Sequence, residues 1–195
     1  MATIEQWLEA LLHFCEEIPQ HKDQLNQLDS AIGDGDHGSN MTRGVQAVKD
    51  KLDTSSYSEL TDLFKDIGMT LVSKVGGASG PLYGSAFISM AKTATESSDP
   101  TALMAAGLEG IKKRGRAEPG EKTMIDVWQP LVDKLHAGQL TQEAVSEAFQ
   151  NTKEMKASKG RASYLGDRSI GHLDPGAQSS AYLFDCLMKA GVLNE

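Results

Sequence analysis

Apolar residues in this sequence recur at helical spacing along most of its length and almost never alternate in strand fashion, and that periodicity constrains the fold more than any other feature. Ile4, Trp7, Leu8, Leu11, Leu12, Cys15 and Ile18 share one helix face, and Thr3 with Gln6 has the relation of a capping box at its start. Leu60, Leu63, Phe64, Ile67, Leu71 and Val75 repeat the pattern. Asp99-Pro100 reads as N-cap and first helical position, and Thr141 as another N-cap, with Leu140 and Val145 as its hydrophobic staple. β-Branched clusters are rare and no hairpin dipeptide separates two apolar runs. The expected fold is therefore all-α, with helices over 3–19, 39–52, 59–75, 81–95, 100–114, 123–136, 141–157 and 177–190 and no sheet. A chain of 195 residues with 39% hydrophobic content can bury one substantial core, so 1–195 is expected to form a single domain.

The links between these helices alternate in kind. Polar, glycine-poor links at 53–58 and 96–100 and a short one around Gly138 are interleaved with four glycine-rich ones at 29–38, 76–80, 115–122 and 158–176. Short links favour antiparallel neighbours, and in an antiparallel bundle every second connection lies at the same end. All four glycine-rich loops are then expected to meet at one end. Glycine is costly unless the backbone takes unusual dihedrals or approaches a ligand closely, so four such loops together point to a binding site.

A formal charge of −8 and a pI near 5.1 argue against a polyanion partner held by a basic stripe, but leave room for a phosphate bridged by metal. Cys15 and Cys186 lie far apart on apolar helix faces without metal-ligand or redox spacing, which fits a reducing cytosol. The N-terminal residues lack the basic start and apolar block of a signal peptide, and no apolar run reaches membrane-spanning length. The expectation is a soluble, cytoplasmic protein.

The segment Leu28-Asp29-Ser30-Ala31-Ile32-Gly33-Asp34-Gly35-Asp36-His37-Gly38 sets three carboxylates within eight positions of an expected loop. Like charges this close require a counter-charge. A hard divalent cation such as Mg²⁺ takes oxygen ligands and binds through a few carboxylates plus substrate phosphates. A solvated Asp/Gly turn is the plain alternative. Gly33, Gly35 and Gly38 satisfy G-x-G-x-x-G, but a helical segment rather than a strand precedes them, and aspartates stand where bare amides should face a pyrophosphate. An EF-hand fails as well, since the position of its bidentate Glu falls on Val45 or Asn40. Gly110 to Gly115 is no P-loop, because Arg116-Ala117 follows.

The other three loops carry weaker signals. Gly76-Gly77-Ala78-Ser79-Gly80-Pro81 joins two helices, with Pro81 expected at the first position of the second; its amides and the seryl hydroxyl suit an anion, although a glycine C-cap and a proline start explain it equally well. Gly115 to Met124 leads into a helix carrying Asp126, and Met124 is placed either to flank an adenine ring or to fill core. In the loop from Gly160 to Gly176, Arg161 can reach phosphate oxygens and Asp174 can accept from a base or ribose.

Taken in order, LDSAIGDGDHGSNMTRG, VGGASGPLYG, RGRAEPGEKTMIDVW and KGRASYLGDRSIGHLDPGAQS resemble the nucleotide-binding L subunits of the dihydroxyacetone kinases, in particular the bacterial phosphotransferase-system type. The resemblance covers essentially the whole chain. It implies a closed antiparallel eight-helix barrel with the nucleotide at one end. It also implies that Asp29, Asp34 and Asp36 ligate two Mg²⁺ bridging the phosphates of ADP or ATP. Nucleotide contacts are implied from His37, Gly38, Ser39 and Asn40, from Ala78 and Ser79, from Gly115 and Met124, from Arg161, and from Asp174, Pro175 and Gly176. In that family a phosphocarrier M subunit passes phosphate by way of phosphohistidine to tightly bound ADP, and the ATP formed phosphorylates dihydroxyacetone on a K subunit. The aspartates would then be metal ligands rather than nucleophiles, His37 a binding residue, and no side chain a covalent catalyst. His13, His21, His136 and His172 read as surface or packing residues. Because the chain shows no sugar-binding domain, the phosphoenolpyruvate-dependent type is favoured over the ATP-dependent kinase; a nucleotide-state sensor for a transcription regulator is a third reading, without direct support in the sequence.

Overall fold

The computed structural model of the chain describes residues 2–193. Its described residues form helices and turns without a strand: α1 (Ile4–Gln20), α2 (Lys22–Ile32), α3 (His37–Asp53), α4 (Leu60–Lys74), α5 (Ser79–Ala94), α6 (Pro100–Gly115), α7 (Ile125–His136), α8 (Gln142–Asn151) and α9 (Pro175–Lys189). Short 3₁₀ turns over Thr152–Glu154 and Arg161–Ser169 lie between α8 and α9. The expected start signals hold. Thr3 Oγ1 accepts from Gln6 N at 3.3 Å while Gln6 Oε1 accepts from Thr3 N at 2.9 Å, and Asp99 and Thr141 cap α6 and α8.

Eight of the helices form a ring. α1 packs on α3, α3 on α4 and so on in order to α9, which returns to α1. At the closure, Gln6 Nε2 donates to the carbonyls of Ala190 and Gly191 at 3.2 and 3.3 Å. The inward faces make one continuous apolar core that includes the edge-to-face pairs Trp7–Phe64 and Trp128–Phe184, with ring centroids 4.9 and 5.2 Å apart. Cys15 and Cys186 are buried and free, and burial pushes both thiols up to about 12. No helix among the described residues is long and apolar enough to cross a membrane.

The ninth helix is α2, for which the eight-helix expectation left no place. Leu25 and Ile32 are its only buried apolar residues, too few for a clear periodic stripe. It lies outside the ring and across the start of α3, where Asn26 holds both the amide and the hydroxyl of Ser39 at 3.0 Å. Asp29 consequently sits in the last turn of a helix, not in a loop. Other boundaries move for local reasons. α5 begins at Ser79, so Pro81 is its third residue, within the first turn where a missing N–H costs nothing. α3 begins at His37, and α9 begins at Pro175, where Asp174 Oδ2 accepts from Ala177 N at 2.8 Å. α7 begins at Ile125 because Thr123 and Met124 belong to the turn before it. α8 ends at Asn151 and does not extend to 157, since the chain tightens into a 3₁₀ turn and then becomes extended at Met155.

α4 and α5 pack against each other through facing glycines. A Cβ at Gly84 would meet the Val72 side chain and come within 2.9 Å of the Gly68 carbonyl; one at Gly68 would come within 3.0 Å of the Gly84 carbonyl. Gly84→Val is expected to lower stability by about 1–3 kcal/mol through overpacking, read as a lower urea midpoint with an unchanged slope.

Candidate functional site

The odd and even links part as the antiparallel ring requires. Residues of all four glycine-rich connections line a single cavity of about 470 Å³ at one end, a volume within the ~300–1,000 Å³ common for small-molecule sites. Because α3, α5, α7 and α9 all begin there, four helix N-termini converge on the cavity and bring their positive dipole ends to it. Ile32, Leu82, Ile111, Ala117 and Ile125 supply an apolar wall, and Arg114, Lys159 and Arg161 supply cations.

The acidic cluster forms because α2 presses its last turn against the start of α3. Asp29 Oδ2 accepts from the amides of Asp36 and His37 at 2.8 and 3.0 Å, while Oδ1 takes no part in these bonds. Gly35 turns the chain between them with φ of 77°, a value glycine adopts without strain. Each of Asp29, Asp34 and Asp36 thereby offers a carboxylate oxygen within 4.8 Å of the others. Burial raises the Asp29 carboxyl above its usual range; the two amides oppose this and the neighbouring carboxylates add to it. Asp34 and Asp36 are exposed, and Arg161 Nε reaches Asp34 Oδ2 at 2.9 Å. Three oxygen donors with no thiolate among them fit a hard cation, which would take further oxygens from water or phosphate.

Of the residues expected in the site, Asp29, Asp34, Asp36, His37, Asn40, Ala78, Ser79, Gly115, Met124, Arg161, Asp174, Pro175 and Gly176 line the cavity. Gly38 and Ser39 are not among the lining residues. A Cβ at Gly38 would strike the Lys22 carbonyl, and Ser39 is engaged by Asn26, so both serve the α2–α3 contact. His37 is buried with both ring nitrogens occupied: Nδ1 lies 3.1 Å from Ser79 Oγ and Nε2 3.0 Å from Ser179 Oγ. Burial lowers its pKa to about 4, so the ring is neutral near pH 7. Asp174 caps α9 and is buried; burial pushes its carboxyl up to about 7, with the Asp126 carboxylate also raising it and the Ala177 amide and Lys122 opposing. Asp126 closes the 115–124 turn by accepting from Thr123 N at 2.8 Å and Gly120 N at 2.5 Å.

Lys122 escaped sequence reasoning because a lysine in a polar turn looks like a solvated one. It is 1% exposed with φ of 61°, and its Nζ donates to the carbonyls of Thr152, Met155 and His172 at 2.8, 3.1 and 2.5 Å, tying the two sides of the site together. Arg114 was hidden for a different reason: it belongs to the last turn of α6, where cations are ordinary helix-end residues.

Comparison with known proteins places this geometry. The model of the DAK2 domain matches residues 31–189. The ADP-binding subunit DhaL of PEP-dependent dihydroxyacetone kinase 1 from Listeria innocua is 54% identical, over 98% of this chain and 100% of that protein. The ADP-binding subunit DhaL of the PTS-dependent dihydroxyacetone kinase of Lactococcus lactis is 50% identical, over 97% and 98%. Among solved structures, the dihydroxyacetone kinase of C. freundii in its native form has a TM-score of 0.78 at 28% identity, covering 97% of this chain; this chain spans 35% of that one. The same kinase in complex with AMP-PNP and Mg²⁺ gives a TM-score of 0.77, covering 96% of this chain. These likenesses, running through nearly the whole sequence and all four loops of the cavity, make the chain a member of the DAK2-domain family, among the ADP-binding subunits of the phosphoenolpyruvate-dependent dihydroxyacetone kinases.

Proposed function

We propose that the chain, acting as one domain over 1–195, is the ADP- and Mg²⁺-binding phosphoryl-transfer subunit of a phosphotransferase-system dihydroxyacetone kinase in the cytoplasm. The observation that carries this reading is the acidic triad, with oxygens within 4.8 Å, on the wall of a cavity where four helix N-termini end. Asp29, Asp34 and Asp36 would hold two Mg²⁺, which supply charge neutralisation for nucleotide phosphates. The amides at the start of α5, the Gly176 amide and the Arg161 guanidinium would face the phosphates, and Met124 with Leu82 and Ile111 offers apolar contact for the adenine. Gly115, Ala78, Asn40, Pro175 and Gly176 complete the walls, and His37 acts by supporting Ser79. Phosphoryl transfer needs positioning and electrostatic relief more than covalent help, and no nucleophile is required of this chain. A phosphocarrier M subunit would load ADP, and dihydroxyacetone on a K subunit would receive the phosphoryl group; the Listeria and Lactococcus relatives are named as ADP-binding subunits of PEP- and PTS-dependent dihydroxyacetone kinases, which supports a carrier-fed site.

The direct test mixes the purified chain with its K subunit and supplies either a phosphorylated carrier or free ATP. Rapid dihydroxyacetone phosphorylation with the carrier alone is expected; full-rate turnover of free ATP without carrier would instead make the chain part of an ATP-dependent kinase.

Asp34→Asn is expected to reduce ADP retained after dialysis by tenfold or more while the helical circular dichroism stays unchanged, because it removes one charge of the metal set. Unaltered retention would remove Asp34 from the metal ligands. Arg161→Ala, whose side chain is 69% exposed, is expected to slow transfer without shifting the melting temperature.

Asp174 gives a pH prediction for the metal-free chain. Its folded pKa of about 7 lies above the ~3.9 of a free aspartate, so the folded state favours the protonated form. Its stabilising contribution is complete below about pH 4 and is lost as pH rises through about 7. The melting temperature should fall over that interval, and Asp174→Asn, which keeps an N-cap acceptor, should flatten the decline. An equally steep decline in the variant would assign the effect to other groups.

A further inference from the structure

A line of six hydrogen-bonding side chains runs from the core of the barrel to the cavity wall. Trp128 Nε1 donates to Ser180 Oγ at 3.1 Å. Ser180 Oγ lies 2.9 Å from Tyr83 Oη, and Tyr83 Oη lies 2.7 Å from Ser179 Oγ. Ser179 Oγ lies 3.0 Å from His37 Nε2, and His37 Nδ1 lies 3.1 Å from Ser79 Oγ, which borders the cavity. Trp128, Tyr83, Ser179 and Ser180 are all fully buried. A run of polar groups through an apolar core costs free energy unless each donor meets an acceptor, so its hydrogens must be ordered.

The order follows from its inner end. An indole N–H can only donate, so the Ser180 oxygen accepts it; the buried Ser180 hydrogen must also find an acceptor, and it goes to Tyr83 Oη at 2.9 Å. The Tyr83 hydroxyl then donates to Ser179. At Ser179 two acceptors compete, His37 Nε2 at 3.0 Å and the Gly176 carbonyl at 3.1 Å. The Gly176 carbonyl stands in the first turn of α9 and is served by that helix's own ladder, whereas Nε2 faces only Ser179. Two arrangements close the network: Ser179 donates to Nε2 and the ring proton sits on Nδ1, or Ser179 donates to the Gly176 carbonyl and Nε2–H donates to Ser179. The first spends the Ser179 hydrogen on the shorter contact, leaves the Gly176 carbonyl to its ladder and puts the ring proton toward Ser79.

We infer that this chain is a one-way relay that holds the His37 ring, flanked by a hydroxyl at each nitrogen, in its Nδ1–H form, so that Ser79 accepts from the ring and presents its own hydroxyl hydrogen to an oxyanion of the ligand. In the opposite tautomer Ser79 would spend its hydrogen on Nδ1 and turn lone pairs toward the phosphate. Ser179 and Tyr83 are thus positioning residues for a ligand neither of them touches. The choice of a phosphate oxyanion rests on the nucleotide reading above; the tautomer does not.

Long-range ¹H–¹⁵N correlation on ¹⁵N-histidine-labelled full-length chain without nucleotide reads the tautomer directly, with His37 identified by the signals missing from His37→Gln. The wild type is expected to show a protonated Nδ1 and a bare Nε2. Ser179→Ala and Tyr83→Phe are expected to populate the Nε2–H form and to weaken ADP binding in Mg²⁺ about tenfold, the scale of one lost hydrogen bond to a charged group. Ser179→Thr, which returns the hydroxyl, is expected to restore both. A wild-type ring protonated on Nε2 would overturn the inference, as would an unshifted tautomer in Tyr83→Phe. Should Ser179→Ala fail to fold, the wild-type spectrum and Tyr83→Phe still decide. A wild type in the Nδ1–H form that binds no ADP would uphold the relay and count against the nucleotide reading alone.

Discussion

The parity of an antiparallel ring governs this molecule. Once eight helices alternate in direction and close, α3, α5, α7 and α9 must all begin at the same end, and the connections leading into them must all lie there. Every helix start leaves amides without an intrahelical acceptor, and each dipole end attracts an anion by roughly 0.3–1 kcal/mol, so four together make that end attractive to phosphate. The apolar core fixes the ring, and the ring places the site. α2 is the one helix outside this scheme. By crossing the start of α3 it brings Asp29 against the amides of Asp36 and His37.

Electrostatics at that end is finely divided. Two carboxylates no more than 4.8 Å apart repel by about 1 kcal/mol or more in bulk water and by about 3–4 kcal/mol or more at an effective dielectric constant near 20. Three such groups therefore oppose the helix dipoles unless a cation joins them. A divalent metal would reverse the sign: it would satisfy the carboxylates and present positive charge to a phosphate at the helix starts. This is how a chain of net charge −8 can bind a polyanion without a basic stripe. Lys122 contributes in another way, since its ammonium is spent on main-chain carbonyls and holds the 115–124 and 152–172 walls together.

Much of this was legible in the sequence because it depends on local signals. Helical periodicity, the caps at Thr3, Asp99 and Thr141, and the alternation of glycine-rich with glycine-poor links were enough to bring four loops to one end. What stayed hidden depends on tertiary contact. α2 has too few apolar positions to declare itself, and Asp29 reads as a loop residue until α2 is seen to fold over α3. Gly38 and Ser39, neighbours of the acidic cluster in sequence, turn out to serve packing, because Asn26 and the Lys22 carbonyl occupy the space beside them. Ser179, Tyr83 and Lys122 lie within the segments that carry the resemblance, but nothing in the spacing singles them out; their importance arises from burial, which makes each polar atom find a partner.

The dependence of ADP binding on divalent metal tests the central claim most directly. Calorimetric titration of ADP into the nucleotide-free chain, once with Mg²⁺ and once with EDTA, is predicted to show tight binding only with Mg²⁺ and to lose it in the chelator. Equal affinity in both would contradict metal-bridged binding at Asp29, Asp34 and Asp36, and would leave the helix N-termini and Arg161 to hold the phosphates alone.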